Sequence, residues 1–343
     1  MSPQFVDFDA DGQLDIVAGI FDGSPHLVRG SAKGWGAPEQ ILDRDGQRIV
    51  GNAFWNFDAK KWDETDRCDP PGHKPAKKGL LTSAVALDLD GDGDFDLVLG
   101  DHYTGAVFVR RNEGTATAPK FAVKNEVLHA DGKPIDVPGT VATVRLVDWN
   151  GDGLQDLACG SMGDPYGTAA GGGVFLFLNV GSKSKVEFGE MQTLLATSMK
   201  GATAPTRPDV GLHPDFADYD GDGDLDMVVG GYSLWSPPAV VLTAAQEDRV
   251  KVLRAEAAEL DEKSSTIHKA IIAATKGLDK EAAAARRAEL LAEKKDALSA
   301  LSKQRQVVRK ELDPMVPGAK RESFVWIYEN LAVGPADRPA QPR

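Results

Sequence analysis

Four short segments of the sequence carry acidic residues at a repeated spacing. They read FVDFDADGQLDIVAG from Phe5, VALDLDGDGDFDLVLG from Val85, RLVDWNGDGLQDLACG from Arg145 and DFADYDGDGDLDMVVG from Asp215. Each has Asp or Asn at loop positions 1, 3, 5 and 9, and Gly at position 6, where the chain must turn sharply. Oxygen ligands at positions 1, 3 and 5, with a backbone carbonyl at position 7, can surround a hard cation. The spacing therefore predicts one calcium loop in each copy, and up to four bound Ca²⁺ ions.

The predicted ligands of these loops form two groups. The side-chain ligands are Asp7, Asp9, Asp11 and Asp15; Asp88, Asp90, Asp92 and Asp96; Asp148, Asn150, Asp152 and Asp156; and Asp218, Asp220, Asp222 and Asp226. The position-7 carbonyls belong to Gln13, Asp94, Leu154 and Asp224. Asn150 removes one negative charge from the third loop, and the carboxylate of Asp224 is expected to face solvent.

An EF-hand is the obvious alternative for such loops, and position 12 argues against it. The EF-hand loop closes with a bidentate Glu at that position. This chain has Ala18, Leu99, Cys159 and Val229 there, within short apolar segments that are typical of strands rather than helices. We therefore expect a calcium loop that is closed by the Asp at position 9 and followed by a strand.

The composition is consistent with cation binding and disfavours several other classes of protein. The 343 residues carry a formal net charge of −13, which argues against nucleic acid or an anionic membrane as the main partner. Four Ca²⁺ ions would offset eight of those thirteen excess negative charges. No segment approaches the ~18 apolar residues of a membrane span. The two cysteines exclude a disulfide framework and do not indicate a compartment.

The order of the predicted strands indicates a repeated all-β unit. Each loop is followed by an apolar strand that ends in Gly, and a further strand follows in HLVRG, AVFVRRN, GVFLFLN and FVWIYEN. Asp45-Gly46 and Asp131-Gly132 lie between apolar runs and predict tight hairpins. Four-stranded units that recur about every 60 residues predict a β-propeller of about four recognisable blades.

These motifs resemble a known repeat family. The pattern DxDGDGxxDLVxG, followed by a GxVxxxxN strand, is similar to the FG-GAP or VCBS-type repeat of integrin-alpha-like propellers. The resemblance covers residues 1–242 and 323–333, and it implies calcium ligands at the sixteen side-chain positions given above. The class includes adhesion receptors, lectins and some polysaccharide lyases, so the resemblance alone leaves the function open.

A helical segment interrupts the last unit. Apolar residues keep a 3/4 spacing on both sides of Gly277, Thr243 and Gln246 form a capping box, and Pro314 ends the run. Residues 243–313 are thus predicted to form an antiparallel helical hairpin with a coiled-coil seam, inserted into a propeller that occupies residues 1–242. Residues 314–343 would supply the closing strand, at about 323–331, and a Pro-rich tail. The hairpin is either a partner-binding arm or an insertion that packs only on itself.

The alternation of strand direction predicts which end of the sheets binds a ligand. The long irregular segments, at 43–83, 161–172 and 197–213, fall at the end opposite the calcium loops, and binding residues usually lie on such loops. The aromatic and His residues available there are Trp55, Trp62, His102, Tyr103, Tyr166, Tyr232 and Trp235. Exposed aromatic side chains suit sugar or peptide ligands.

We therefore expect a calcium-stabilised binding or adhesion module for glycan or protein ligands rather than an enzyme. One alternative is a polysaccharide lyase, which needs a Lys, Arg, His or Tyr base beside a substrate cleft, and His102 and Tyr103 are the best candidate pair for it. Another is a structural assembly protein that is joined through the helical arm. High extracellular calcium favours an extracytoplasmic or secreted protein. The sequence starts directly at a first strand, so we also expect an N-terminal piece, with a signal peptide, to be missing.

Overall fold

The computed structural model describes residues 3–71, 79–163, 171–198, 205, 207–235 and 237–331. This part of the chain is mostly β, with two long helices. It divides into two compact units, and the unit from Trp235 to Lys320 holds both helices.

The sheets follow one another along the chain, and strands that are adjacent in sequence pair within each sheet. The first sheet contains β1 (Gln4–Val6), β2 (Asp15–Gly19), β3 (Pro25–Val28) and β4 (Glu39–Gln40), and a separate hairpin follows with β5 (Ala53–Asn56) and β6 (Lys61–Glu64). The second sheet contains β7 (Leu81–Leu87), β8 (Asp96–Asp101), β9 (Val107–Arg110) and β10 (Glu126–Val127), and the short hairpin after it has β11 (His129–Ala130) and β12 (Lys133–Pro134). The third contains β13 (Thr143–Val147), β14 (Asp156–Gly160), β15 (Val174–Phe177) and β16 (Gln192–Leu195). The fourth contains β17 (Val210–Ala217), β18 (Asp226–Trp235) and β19 (Lys320–Tyr328).

The structure agrees with the predicted strand order and modifies the strand count. Three sheets have four strands, whereas the fourth has three within the described residues. Asp131-Gly132 joins β11 to β12 with positive φ at both residues, which is the hairpin turn that Asp-Gly predicts. The described residues form a mostly β structure with two helices. They do not form a closed barrel, so the predicted four-bladed propeller is not confirmed.

A separate apolar core fills the space between each pair of successive sheets. The first core includes Val17, Leu81 and Leu99. The second includes Val85, Val144 and Leu157, and the third Val174, Leu212 and Val229. In the first three sheets the second strand can lie close to the next sheet because it has a glycine at or next to its last residue. A Cβ at Gly19, Gly100 or Gly160 would collide with the backbone of the following sheet.

Hydrogen bonds also join the first strands of successive sheets. The Gln4 amide donates to the carbonyl of Ala86 at 3.0 Å and accepts from its N–H at 2.6 Å. The Val144 N–H donates to Ser83 Oγ at 3.0 Å, and Thr143 Oγ1 donates to the Leu212 carbonyl at 2.8 Å. These bonds hold the four first strands together in chain order.

The helical unit is the predicted hairpin. Its helices are α1 (Ala244–Thr275) and α2 (Lys280–Leu312). The capping box between Thr243 and Gln246 is present, and Gly277 has φ +85° in the turn. Leu253, Leu260 and Val308 form the buried seam. No helix in the described ranges is long and apolar enough to cross a membrane.

Candidate metal centres and a candidate ligand surface

All four acidic loops are folded by the same internal hydrogen bonds. The position-6 N–H donates to the position-1 carboxylate at 3.0–3.1 Å, in the pairs Gly12 to Asp7, Gly93 to Asp88, Gly153 to Asp148 and Gly223 to Asp218. The position-7 N–H donates to the position-5 carboxylate at 2.8–3.0 Å, in the pairs Gln13 to Asp11, Asp94 to Asp92, Leu154 to Asp152 and Asp224 to Asp222. The position-6 glycines all have φ between +82° and +95°, a conformation that side chains disfavour. These hydrogen bonds bend each loop back towards its own first acidic residue.

Three of the loops bring carboxylate oxygens into a tight group. One oxygen from each member lies within 4.8 Å of the others in the sets Asp7, Asp9 and Asp15; Asp88, Asp90 and Asp92; and Asp218, Asp220 and Asp226. Such all-oxygen sets match the ligand preference of Ca²⁺. The described residues therefore fit the predicted ion at these three places.

The third loop differs because of Asn150. Its amide nitrogen donates to the Asp152 carboxylate at 2.9 Å, and its oxygen accepts from the Asp152 N–H at 3.1 Å. An amide oxygen can still bind Ca²⁺. With one negative charge fewer, this loop should bind a cation less tightly than the other three.

The Asp at position 9 has a second role that the sequence analysis missed. It is buried in every copy (Asp15, Asp96, Asp156 and Asp226) and accepts from a backbone N–H just beyond the third strand of its sheet, in the pairs Gly30 to Asp15, Asn112 to Asp96, Asn179 to Asp156 and Asn330 to Asp226, at 2.7–2.9 Å. In three copies its other oxygen accepts from position 2, namely Phe8, Trp149 and Tyr219. One carboxylate thus joins the loop to the sheet's third strand, so an ion held there would brace several strands.

The Asn that follows the third strand was the feature of the sequence that could have predicted this contact with position 9. In GxVxxxxN, the Asn112 and Asn179 side chains each accept two further backbone N–H bonds and shape the next turn. Their own N–H groups are thereby aimed at the loop.

Burial and mutual repulsion shape the electrostatics of the loops. Burial, together with the negative charge of nearby Asp92, raises the pKa of Asp94 to about 6. Burial also raises the pKa of Asp96 and of Asp156. The backbone N–H of Asn330 lowers the pKa of Asp226. A divalent cation would offset the like charge of Asp92 that contributes to the raised pKa of Asp94.

The carboxylate at position 7 of the fourth loop is buried, which corrects the expectation that it faces solvent. Both carboxylate oxygens of Asp224 are buried. Asp94, at the same position of the second loop, is also buried. The connection between β15 and β16 packs closely against the second loop. A Cβ added at Gly91 would collide with Ser184 in that connection.

The repeat pattern is recognised independently of the geometry. A family model described as an FG-GAP-like repeat matches residues 88–159 and 148–229. Residues 88–229 therefore consist of FG-GAP-type repeats. Each match starts at position 1 of one acidic loop and ends at position 12 of the next. A comparison with curated proteins finds no match.

An aromatic row lies at the end of the first two sheets away from their acidic loops. The row consists of Trp55, Trp62, Phe21, His102 and Tyr103. Consecutive members meet nearly edge-on, with ring centroids 5.3–6.0 Å apart. Phe21 is 56% exposed, Trp62 45% and Tyr103 41%. Burial lowers the pKa of His102, so its imidazole is neutral at neutral pH.

Four of the seven residues proposed from sequence thus come together, and Phe21 was missed. It lies in the β2–β3 connection, the counterpart of the β8–β9 connection that holds His102 and Tyr103. Tyr232 and Trp235 instead pack against positively charged side chains. Arg321 lies 3.9 Å from the ring centre of Tyr232, and Lys320 Nζ lies 5.4 Å from the ring centre of Trp235. Tyr166 lies outside the described residues.

Proposed function

We propose that this protein is a calcium-stabilised, propeller-type binding module that holds a glycan on its aromatic row. The FG-GAP repeats support a binding or adhesion module, and the exposed row is the observation that supports this ligand. A protein ligand is the alternative occupant of the same surface. Because extracellular calcium is high enough to fill such loops, we place the protein outside the cytoplasm.

The row has the chemistry of a sugar-binding surface. Sugar rings present C–H groups on their faces, and these pack on exposed aromatic rings while the hydroxyl groups stay hydrated. Trp55 and Trp62 are cross-strand partners on β5 and β6, which fixes their side chains before any ligand arrives. Preorganised aromatic side chains lose little conformational entropy on binding.

Calcium would act on this surface indirectly. The position-9 carboxylates connect the acidic loops to the third strands, whose opposite ends carry the connections that hold Phe21 and His102. Ions in the loops would therefore keep those connections in place. The proposed calcium and ligand sites lie at opposite ends of the sheets, so ligand need not touch the metal.

Binding to a glycan array in saturating calcium tests the proposal. Trp62→Ala should reduce the affinity for a bound glycan about tenfold or more, as expected for a central aromatic contact. Trp326→Ala is the matched control, because Trp326 has a similar exposure of 39% but lies on β19. Glycan binding that is equally insensitive to both changes would rule out the row as the ligand site, and binding to no glycan would favour the protein ligand.

A polysaccharide lyase is the second candidate, because His102 and Tyr103 are neighbours in the row, with ring centroids 5.4 Å apart. A neutral imidazole can accept a proton and a tyrosine can donate one. Release of unsaturated oligosaccharides from an acidic polysaccharide, lost in His102→Ala, would support this activity. Intact polymer after long incubation would leave the binding module as the function.

A further inference from the structure

The β5–β6 hairpin builds a second surface on its other face. Side chains alternate along a strand, so Trp55 contributes to the aromatic row while Phe54 and Asn56 point the opposite way. There they line a cavity of about 440 Å³, which we call the hairpin pocket, together with Gln40, Gln47, Arg48 and Phe57. This volume lies within the range of about 300–1,000 Å³ that is usual for small-molecule sites.

We propose that the hairpin pocket binds one uncharged saccharide unit, separately from the aromatic row. The proposal goes beyond the function above, because it assigns a second site with its own ligand. It rests on the charge balance of the pocket, on its exposed aromatic ring and on its amide groups.

The charge balance argues against an anionic ligand. The pocket has two guanidinium groups, and both are engaged by carboxylates. Arg48 Nη2 donates to Asp22 at 2.5 Å and Nη1 to the Trp55 carbonyl at 2.7 Å. Arg67 pairs with the buried Asp43 and, at 2.8 Å, with Asp45. With Asp58 also in the lining, the pocket offers no excess positive charge to a phosphate or carboxylate.

The aromatic wall suits the face of a sugar ring. Phe57 is 55% exposed, and Arg48 lies against it at 5.9 Å from the ring centre and against Phe54 at 5.0 Å. The guanidinium thus holds both phenyl rings in position. The exposed part of Phe57 is then available for stacking.

The polar groups of the pocket suit hydroxyl groups. Gln40, Gln47, Asn56 and Thr65 line it, and amide and hydroxyl groups can donate and accept hydrogen bonds. Gln40 accepts from Arg48 Nε and Nη2 at 3.1 Å in the orientation that satisfies both groups. Neutral groups that donate and accept match an uncharged polyol better than they match an ion.

Titration calorimetry with neutral sugars tests this site. Glucose, galactose, mannose and N-acetylglucosamine are the probes, and at least one should bind with a dissociation constant of about a millimolar or lower. Phe57→Ala should weaken that binding at least fivefold, and its exposed position should leave the fold intact, which the melting temperature checks. Trp62→Ala, on the other face of the same hairpin, should leave it unchanged.

The same variants separate this inference from the proposed function. A glycan held by the aromatic row should lose affinity in Trp62→Ala and keep it in Phe57→Ala, which is the reverse pattern. Binding to none of the four sugars would overturn the inference without affecting the row. Inorganic phosphate that binds the pocket with loss in Arg48→Gln, or one sugar that is weakened equally by both aromatic changes, would also overturn it.

Discussion

The backbone N–H of Asn330 donates to the Asp226 carboxylate at 2.9 Å, although 104 residues separate them. The two helices lie within that interval, yet the contact matches the one between Asn112 and Asp96 in an uninterrupted sheet. The fourth acidic loop is therefore joined to its third strand in the same way as the second. The insertion lengthens the connection without altering this contact.

Removal of calcium should lower the melting temperature. An ion that binds only the folded protein contributes RT ln(1 + [L]/Kd), about 2.7 kcal/mol for one site at a hundredfold excess over Kd. Excess EDTA should cause a fall of several degrees in differential scanning calorimetry, and added Ca²⁺ should reverse it. An unchanged melting temperature, with no calcium in elemental analysis, would refute the calcium assignment.

The structural role of position 9 can be separated from its proposed metal-binding role. In EDTA, Asp156→Ala should still lower the free energy of unfolding by about 3 kcal/mol, because the N–H groups of Trp149 and Asn179 lose their acceptor. The control Asp152→Ala removes an exposed predicted ligand of the same loop. Water can replace Asp152 as the acceptor for Leu154 N–H and the Asn150 amide, so this change should have little effect in EDTA. Both changes should lower calcium affinity. Equal stability of the two variants in EDTA would contradict the role of Asp156.

Terbium luminescence should report individual loops. Tb³⁺ replaces Ca²⁺ at oxygen sites, and excitation near 295 nm sensitises it only through a nearby tryptophan. Trp149 is position 2 of the third loop, and Trp35 packs beside Gly30 next to the first loop. Trp149→Phe should remove the third-loop emission and Trp35→Phe the first-loop emission. Emission that survives both changes in full would show that neither loop holds the ion.

His213 should contribute to acid sensitivity. Burial lowers its pKa from 6.5 to about 4, so the unfolded chain binds a proton there that the folded protein does not. Stability from this group is complete above pH 6.5 and is lost as the pH falls towards 4, by about 3 kcal/mol. His213→Gln should flatten this part of the stability–pH curve, and His268→Gln on the exposed helix surface should not. Parallel curves for all three proteins would disprove the effect.

The sequence predicted the acidic loops, the strands that follow them and the helical hairpin, because each depends on local spacing. Asp or Asn at positions 1, 3, 5 and 9, and the capping box of Thr243, act within a few residues. Phe21 and the hairpin pocket could not be predicted, since they depend on which connections meet in space. The burial of Asp94 likewise could not be predicted from the spacing of the acids in its loop.

The helical insertion has a consequence for how the fourth sheet forms. If the connection from Trp235 to Lys320 were flexible, closing it would cost about 2.5 kcal/mol more entropy than closing the short link from Asp101 to Val107. The ion pair between Arg249 and Glu311, at 2.6 Å, lies where the two ends of the hairpin come back together. The two helices form from contacts within a few residues, so we expect them to fold early. The helical hairpin would then act as an intramolecular folding template, because it would bring β19 next to β18 before the fourth acidic loop is complete.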